Sequence, residues 1–280
     1  MKMGSLYKSA AGEKEIMDLY DNVLRNWPVP YEAGTVPTRH GDTFVISCGK
    51  KQAPPLVLLH GASSNAVSWV GDTAEYSRDF RVFLVDIPGE PGKSSPNRPS
   101  YQGLDFAEWL EDLLNRLGLD KVSMLGLSQG GWTALRFATY RPERVAKLVL
   151  LTPAGVVPTR ASFILSAIGL SFFGKWGAKK LNQIVFGKQV IHPEAVKFMN
   201  AIMTHFKPRI EKEVIFKDDE LSRLNMPVLL MGGKEDAIRS IKDIDARLQK
   251  LVPQLQTEVI TEMGHVLVNI SDKIIPFLAS

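Results

Sequence analysis

Val122-Ser123-Met124-Leu125-Gly126-Leu127-Ser128-Gln129-Gly130-Gly131-Trp132-Thr133-Ala134-Leu135 is the stretch on which the fold turns. A short apolar run ends in Gly-x-Ser-x-Gly, and a helix-forming segment follows at once. That is the layout of a strand, a tight turn carrying a serine, and a helix. Gly126 and Gly130 remove side chains that would collide as the backbone reverses. Ser128 then stands at the start of a helix, where free N–H groups favour negative charge. A chain of this length matches the five-residue pattern by chance about 0.1 times at average glycine and serine usage, so the flanking elements and partner residues carry the argument.

The surrounding sequence repeats one theme. Leu56 to Leu59, Val82 to Val85, Val122 to Leu127, Leu148 to Leu151 and Val228 to Met231 are short runs apolar on both faces, and Glu258 to Ile260 is a weaker version. Buried parallel strands need such runs. Helical patterns lie between them: Leu104 to Leu117, Gly131 to Tyr140, Ile241 to Leu251, and one after Gly264. Alternation of this kind predicts an α/β sheet with helices on both faces. Thr35 to Arg39 and Thr43 to Ser47 read as a hairpin around His40-Gly41-Asp42. Before them, Ile16, Leu19, Tyr20, Val23, Leu24 and Trp27 fall at helical spacing and end at Pro28 and Pro30, an amphipathic arm. The rhythm breaks once, between Gly155 and Arg223, where only helix-like segments occur, such as Ser162 to Phe173 and Pro193 to Phe206. The expected organisation is an N-terminal helical arm on the core (1–34), a first core segment (35–154), a helical cap (155–223) and a second core segment (224–280).

Composition narrows the function classes. The chain has 280 residues, 45% apolar and 23% charged, with a net charge of +4. That balance, with no basic stripe interleaved with aromatics, gives no reason to expect nucleic acid. The single cysteine, Cys48, rules out an internal disulfide framework. Met1 to Tyr7 has no apolar run behind it, so no signal peptide is read, and the apolar block from Ala161 to Phe173 is far short of the roughly 20 residues that span a bilayer. The expectation is a soluble cytoplasmic protein, monomeric or homodimeric, without stable membrane insertion. Gly92-Lys93-Ser94 is no phosphate loop, because residue 87 is isoleucine where that motif needs glycine. No Cys/His cluster at metal spacing and no dinucleotide fingerprint is present, so neither metal nor cofactor is expected.

A serine hydroxyl needs a base, and that base needs a carboxylate to orient it. His265 follows the strand-like Thr257 to Thr261, and Asp236 follows Val228 to Met231. Loops beyond the carboxyl ends of parallel strands share one edge, where ligands bind, so Ser128, Asp236 and His265 can converge. Glu235 and Asp86 are rivals for the acid, while His40, His60, His192 and His205 are the other histidines. His60 suits a bracing role in the loop His60-Gly61-Ala62-Ser63-Ser64-Asn65. Backbone N–H groups of Ala62 and Gln129 are the candidates for an oxyanion hole.

With these motifs in order, the chain resembles the α/β-hydrolase superfamily, nearest to its cap-bearing serine carboxylesterase branch. His60-Gly61, Gly126 to Gly130, Asp236 and Gly264-His265 carry the resemblance over roughly residues 35–280, and the order Ser, Asp, His fits that family. The resemblance implies a mostly parallel eight-stranded sheet with a helical cap inserted after strand 6. It also implies cofactor-independent hydrolysis of a small-molecule carboxylic ester. One departure stands out: Asp86-Ile87-Pro88-Gly89-Glu90-Pro91-Gly92-Lys93-Ser94 carries one residue more than the family's loop after its fourth strand. Phe163, Ile164, Leu165, Ile168, Phe172, Phe173 and Trp176 make the cap apolar, which suggests small hydrophobic or aromatic esters, with plain packing as the other reading. Lys175, Lys179 and Lys180 beside them raise lipid contact. Ser63, Trp132, Phe163 and Phe172 are the candidate substrate contacts. Two alternatives stand beside the esterase: a carbon–carbon bond hydrolase or perhydrolase using the same triad, and a non-catalytic ligand-binding relative.

Overall fold

The computed structural model describes residues 5–280. Eight strands form one sheet in the order β1-β2-β4-β3-β5-β6-β7-β8: β1 (Tyr31–Val36), β2 (Thr43–Cys48), β3 (Pro55–Leu59), β4 (Arg81–Val85), β5 (Val122–Leu127), β6 (Val145–Leu151), β7 (Val228–Gly233) and β8 (Leu255–Ile260). Pairing is antiparallel for β1 with β2 and β2 with β4, and parallel from there to β8. The central strands bury both faces, so alternate residues enter two cores. Val57, Leu59, Met124, Leu148, Leu150 and Leu230 pack with Trp109, Leu113, Phe137 and Leu248. Leu56, Leu58, Leu125, Val149, Leu151 and Met231 pack with Ile16, Tyr20, Tyr76 and Phe277 on the other face.

The helices that cover these faces are α1 (Ala10–Arg25), α2 (Val70–Asp79), α3 (Asp105–Arg116), α4 (Gln129–Tyr140), α9 (Ile241–Leu248) and α10 (Ser271–Ala279). Between β6 and β7 lie α5 (Ala161–Ser171), α6 (Gly174–Phe186), α7 (Pro193–His205) and the single turn α8 (Asp218–Leu221), with no strand in the insert.

Two expectations need correction. The hairpin runs Tyr31↔Cys48 to Val36↔Thr43, so its first strand starts four residues before Thr35 and a boundary at 34/35 cuts it. This strand lies at the sheet edge, largely exposed, and shows no apolar alternation to mark its start. The N-terminal helix also does more than lie on the core. Lys8 N–H donates to the His205 carbonyl at 2.8 Å and Glu15 approaches His205 Nε2 at 3.1 Å, on the cap helix α7. Tyr20 reaches into the core instead, its hydroxyl 3.0 Å from Asp86 Oδ2. The arm thus ties the cap to the sheet.

Candidate active site

Ser128 sits between β5 and α4 with φ 52° and ψ −108°, a left-handed conformation for a residue that bears a Cβ. Such strain costs about 1–3 kcal/mol and persists only where the surroundings enforce it. Here they do: Ser128 N–H donates to the Leu151 carbonyl at 2.9 Å, while its own carbonyl accepts from Trp132 N–H at 2.9 Å and Ala154 N–H at 3.1 Å. Close packing explains the glycines. A Cβ on Gly126 would lie 2.4 Å from the Gly130 carbonyl oxygen, and one on Gly130 would lie 2.1 Å from that of Leu59. Gly130→Ala is therefore expected to destabilise the fold by at least about 2 kcal/mol, read as a lower urea midpoint. An unchanged midpoint would contradict this packing account.

The loops after β7 and β8 bring two side chains to Ser128. His265 Nε2 lies 2.9 Å from Ser128 Oγ, and His265 Nδ1 lies 2.8 Å from Asp236 Oδ2. Asp236 and His265 are both buried, while Ser128 is half-buried. A carboxylate can only accept, so Nδ1 carries the proton and the Nε2 lone pair faces the hydroxyl. The other Asp236 oxygen accepts from the backbone N–H of Ile238 at 2.7 Å and of Arg239 at 3.0 Å. Burial by itself would raise this carboxyl. The His265 hydrogen bond and charge, with the two amides, hold it below its ordinary value. His265 is fixed through its backbone as well: its N–H donates to the Val185 carbonyl at 2.8 Å, and its carbonyl accepts from Thr152 Oγ1 at 2.9 Å.

The rival residues go elsewhere. Glu235 pairs with Lys188 at 3.3 Å on the surface side of its turn. Asp86 is fully buried and ties its loop together, accepting from Ala66 N–H at 2.6 Å, Lys93 N–H at 2.7 Å and the Tyr20 hydroxyl; burial pushes it up to about 6 despite those bonds. His60 Nε2 accepts from Ile87 N–H at 2.9 Å, so its Nδ1 donates to the Gly61 carbonyl at 2.8 Å. Burial lowers this imidazole to about 4 and keeps it neutral. His192 caps α7, and His205 faces Glu15.

Ala62, on the loop after β3, is exposed, and Gln129 opens α4, where first-turn N–H groups lack intrahelical partners. Ser63, next to Ala62, has φ 53° and donates its N–H to Glu90 Oε2 at 2.7 Å. Glu90 is 3% exposed and lies in the one-residue extension noted in the sequence. Burial raises it to about 7, against the pull of Ser63 N–H, the Gln129 amide, Arg98 and Arg209. The folded protein therefore holds this proton more tightly than the unfolded chain. Its contribution to stability is complete below pH 4.5 and declines as pH rises through 7, by about 3 kcal/mol in all. Glu90→Gln is expected to gain more stability over the wild type at pH 8 than at pH 5.5 in urea unfolding. An equal difference at both pH values would show that Glu90 does not titrate in this window.

The candidate substrate contacts need revision. Trp132 is fully buried; its Nε1–H donates to the Val214 carbonyl at 2.8 Å, and its ring packs edge-on against Tyr101 and Phe106. With no exposed surface, it is a core residue. Phe172 is 81% exposed and Leu165, Ile168, Phe173 and Trp176 are exposed as well, so this part of the apolar stripe lies open to solvent and does not pack into the core. Phe163 is half-buried at the start of α5. The side chain of Lys175 lies outside the described residues; Lys179 and Lys180 are exposed. What surrounds Ser128 is more polar than expected. Arg239 enters from the Asp236 turn, with Nη1 3.4 Å from Ser128 Oγ, and Glu213 lies behind it. Neither was singled out from sequence; a cation three residues after a candidate triad acid was the available signal for Arg239. Among the described residues no three His, Cys, Asp or Glu side chains gather as a metal site, and no helix is long and apolar enough to cross a membrane.

Known proteins agree with this architecture. The sequence model for the alpha/beta hydrolase fold matches residues 54–268. The uncharacterized carboxylesterase nap of Bacillus subtilis (strain 168) is 35% identical over 89% of this chain and 85% of its own length. Carboxylesterase YbfK of the same organism is 33% identical over 89% and 86%. The crystal structure of naproxen esterase (carboxylesterase NP) from Bacillus subtilis superposes with a TM-score of 0.86 at 31% identity, covering 97% of this chain and 99% of that one. With the family's sequence model spanning most of the chain and its sheet, elbow and insert all present, the protein belongs to the α/β-hydrolase fold family.

Proposed function

We propose that the protein is a serine carboxylesterase in which Ser128 is the nucleophile, His265 the general base and Asp236 the acid that orients it. The observation that carries this reading is the continuous hydrogen-bonded line from Asp236 Oδ2 through the His265 ring to Ser128 Oγ, at 2.8 and 2.9 Å. His265 Nε2 takes the hydroxyl proton as Oγ attacks the ester carbonyl. The imidazolium that forms is held by Asp236. The N–H groups of Ala62 and Gln129 take the developing oxyanion, helped by the positive end of α4. Collapse of the tetrahedral intermediate expels the alcohol, which leaves with the proton from His265. Water, activated by the same base, then hydrolyses the acyl-enzyme. The carboxylesterase names of the relatives support the ester as the bond cleaved.

The substrates in this reading are small carboxylic esters, with hydrophobic or aromatic acyl groups the first to test. A panel of chromogenic esters of increasing acyl length checks it. Turnover of short and aromatic members is expected. Failure of every ester, with cleavage of a carbon–carbon substrate in its place, would move the assignment to the other hydrolase chemistry that the same triad performs.

A further inference from the structure

The guanidinium of Arg239 is the strongest unassigned feature of the site. Its side chain is 7% exposed, yet its hydrogen-bonding capacity is hardly used. Nη1 makes a long contact of 3.4 Å to Ser128 Oγ, and Nε is buried without a partner. Its ion-pair neighbour, Glu213, comes only to 3.9 Å of Nη2, outside hydrogen-bond range. The Asp236 carboxylate, nearby, accepts from His265 and from the Ile238 and Arg239 amides and makes no hydrogen bond to the Arg239 guanidinium. A planar fork of donors with this much unspent capacity suits bidentate binding of a carboxylate.

Position limits where that carboxylate can be. The ester carbonyl must come within about 3–3.5 Å of Ser128 Oγ to react. A carboxylate on Arg239 would hydrogen-bond at about 2.7–2.9 Å. With Nη1 itself beside Oγ, both groups fit one substrate only if a short spacer separates them. We propose that Arg239 is a substrate-binding residue that receives a carboxylate carried by the ester, so that the preferred substrates are half-esters of short dicarboxylic acids. A neutral ester of equal length would leave the guanidinium buried with most of its hydrogen-bonding capacity unused, which is the kind of mismatch on which polar sites discriminate strongly.

This inference rests on the esterase reading, and a matched pair of substrates separates the two. Hydrolysis of monoethyl succinate and of ethyl valerate, a neutral ester of similar length, is followed by pH-stat with the intact protein. The acid ester is expected to have a kcat/KM about 10- to 100-fold higher, mainly through a lower KM. Succinate should compete with ethyl valerate. In Arg239→Met the preference and the succinate inhibition should both disappear, while Arg239→Lys should restore part of each. Equal or faster turnover of ethyl valerate by the wild type, or no inhibition by succinate, would overturn the Arg239 assignment alone, and neither result depends on a variant folding. No turnover of monoethyl succinate by a protein that hydrolyses the chromogenic esters would likewise overturn the Arg239 assignment alone, whereas failure of every ester removes the esterase reading and this inference with it.

Discussion

Ser128→Ala is expected to lower ester turnover by about 10⁶, the scale seen when a triad nucleophile is removed, with little loss of fold. The separation of the two effects follows from the geometry. Ser128 holds its strained turn through backbone hydrogen bonds to Leu151, Trp132 and Ala154, none of which uses the hydroxyl. Alanine keeps the Cβ that the site already accommodates, so the urea midpoint should move by well under the change seen for Gly130→Ala. Steady-state kinetics on a short ester, set beside the unfolding curve, reads both. A residual rate within tenfold of the wild type would mean that another group attacks the carbonyl.

Asp236→Asn is expected to cut kcat by about 10⁴. An asparagine presents an amide where Asp236 Oδ2 now accepts from His265 Nδ1 at 2.8 Å, and it offers no negative charge to the imidazolium. The ring would then turn its proton toward Ser128 and lose its role as base. Asn Oδ1 can still accept from the Ile238 and Arg239 amides, so the turn should persist. Glu235→Gln is the control: its carboxylate faces Lys188 at the surface, and turnover should stay within about twofold. The reverse pattern, with Glu235→Gln the damaging change, would reassign the acid. The same contact also makes the stability of the wild-type fold depend on pH on the acid side. Asp236 is held below its ordinary value, so the stability it contributes is present above the unfolded carboxyl range and is lost as pH falls through its depressed value.

The parts legible in the sequence are those where one local requirement leaves few residue choices. Central strands buried on both faces must be apolar throughout, which made β3 to β7 visible as runs. The elbow needs glycine at positions 126 and 130 because backbone carbonyls occupy the space a Cβ would take. Asp236 and His265 followed from the rule that strand ends share one edge. Edges and polar interiors leave weaker traces. The first strand, exposed along most of its length, has no alternation to show where it begins. Helix α2 is mostly polar, with Thr73 and Tyr76 its buried residues, and its pattern was too thin to read. Cap residues 163–176 show apolar character, but character alone cannot tell an inward face from an exposed one. Glu90 meets Ser63, and Glu213 meets Arg239, through contacts between segments distant in the chain, and no spacing rule announces such pairs. The added residue in the loop after β4 was visible as an irregularity; that Glu90 would end up buried against Ser63 was not.

The central claim is that one hydroxyl of this chain, Ser128 Oγ, is a nucleophile activated by His265. Treating the native protein with a fluorophosphonate and mapping the adduct by peptide mass spectrometry tests it directly. The account predicts a single adduct on Ser128, absent after denaturation before labelling and absent in His265→Ala, which leaves the serine without its base. No adduct on the folded wild-type protein, or an adduct on a different serine, would contradict it.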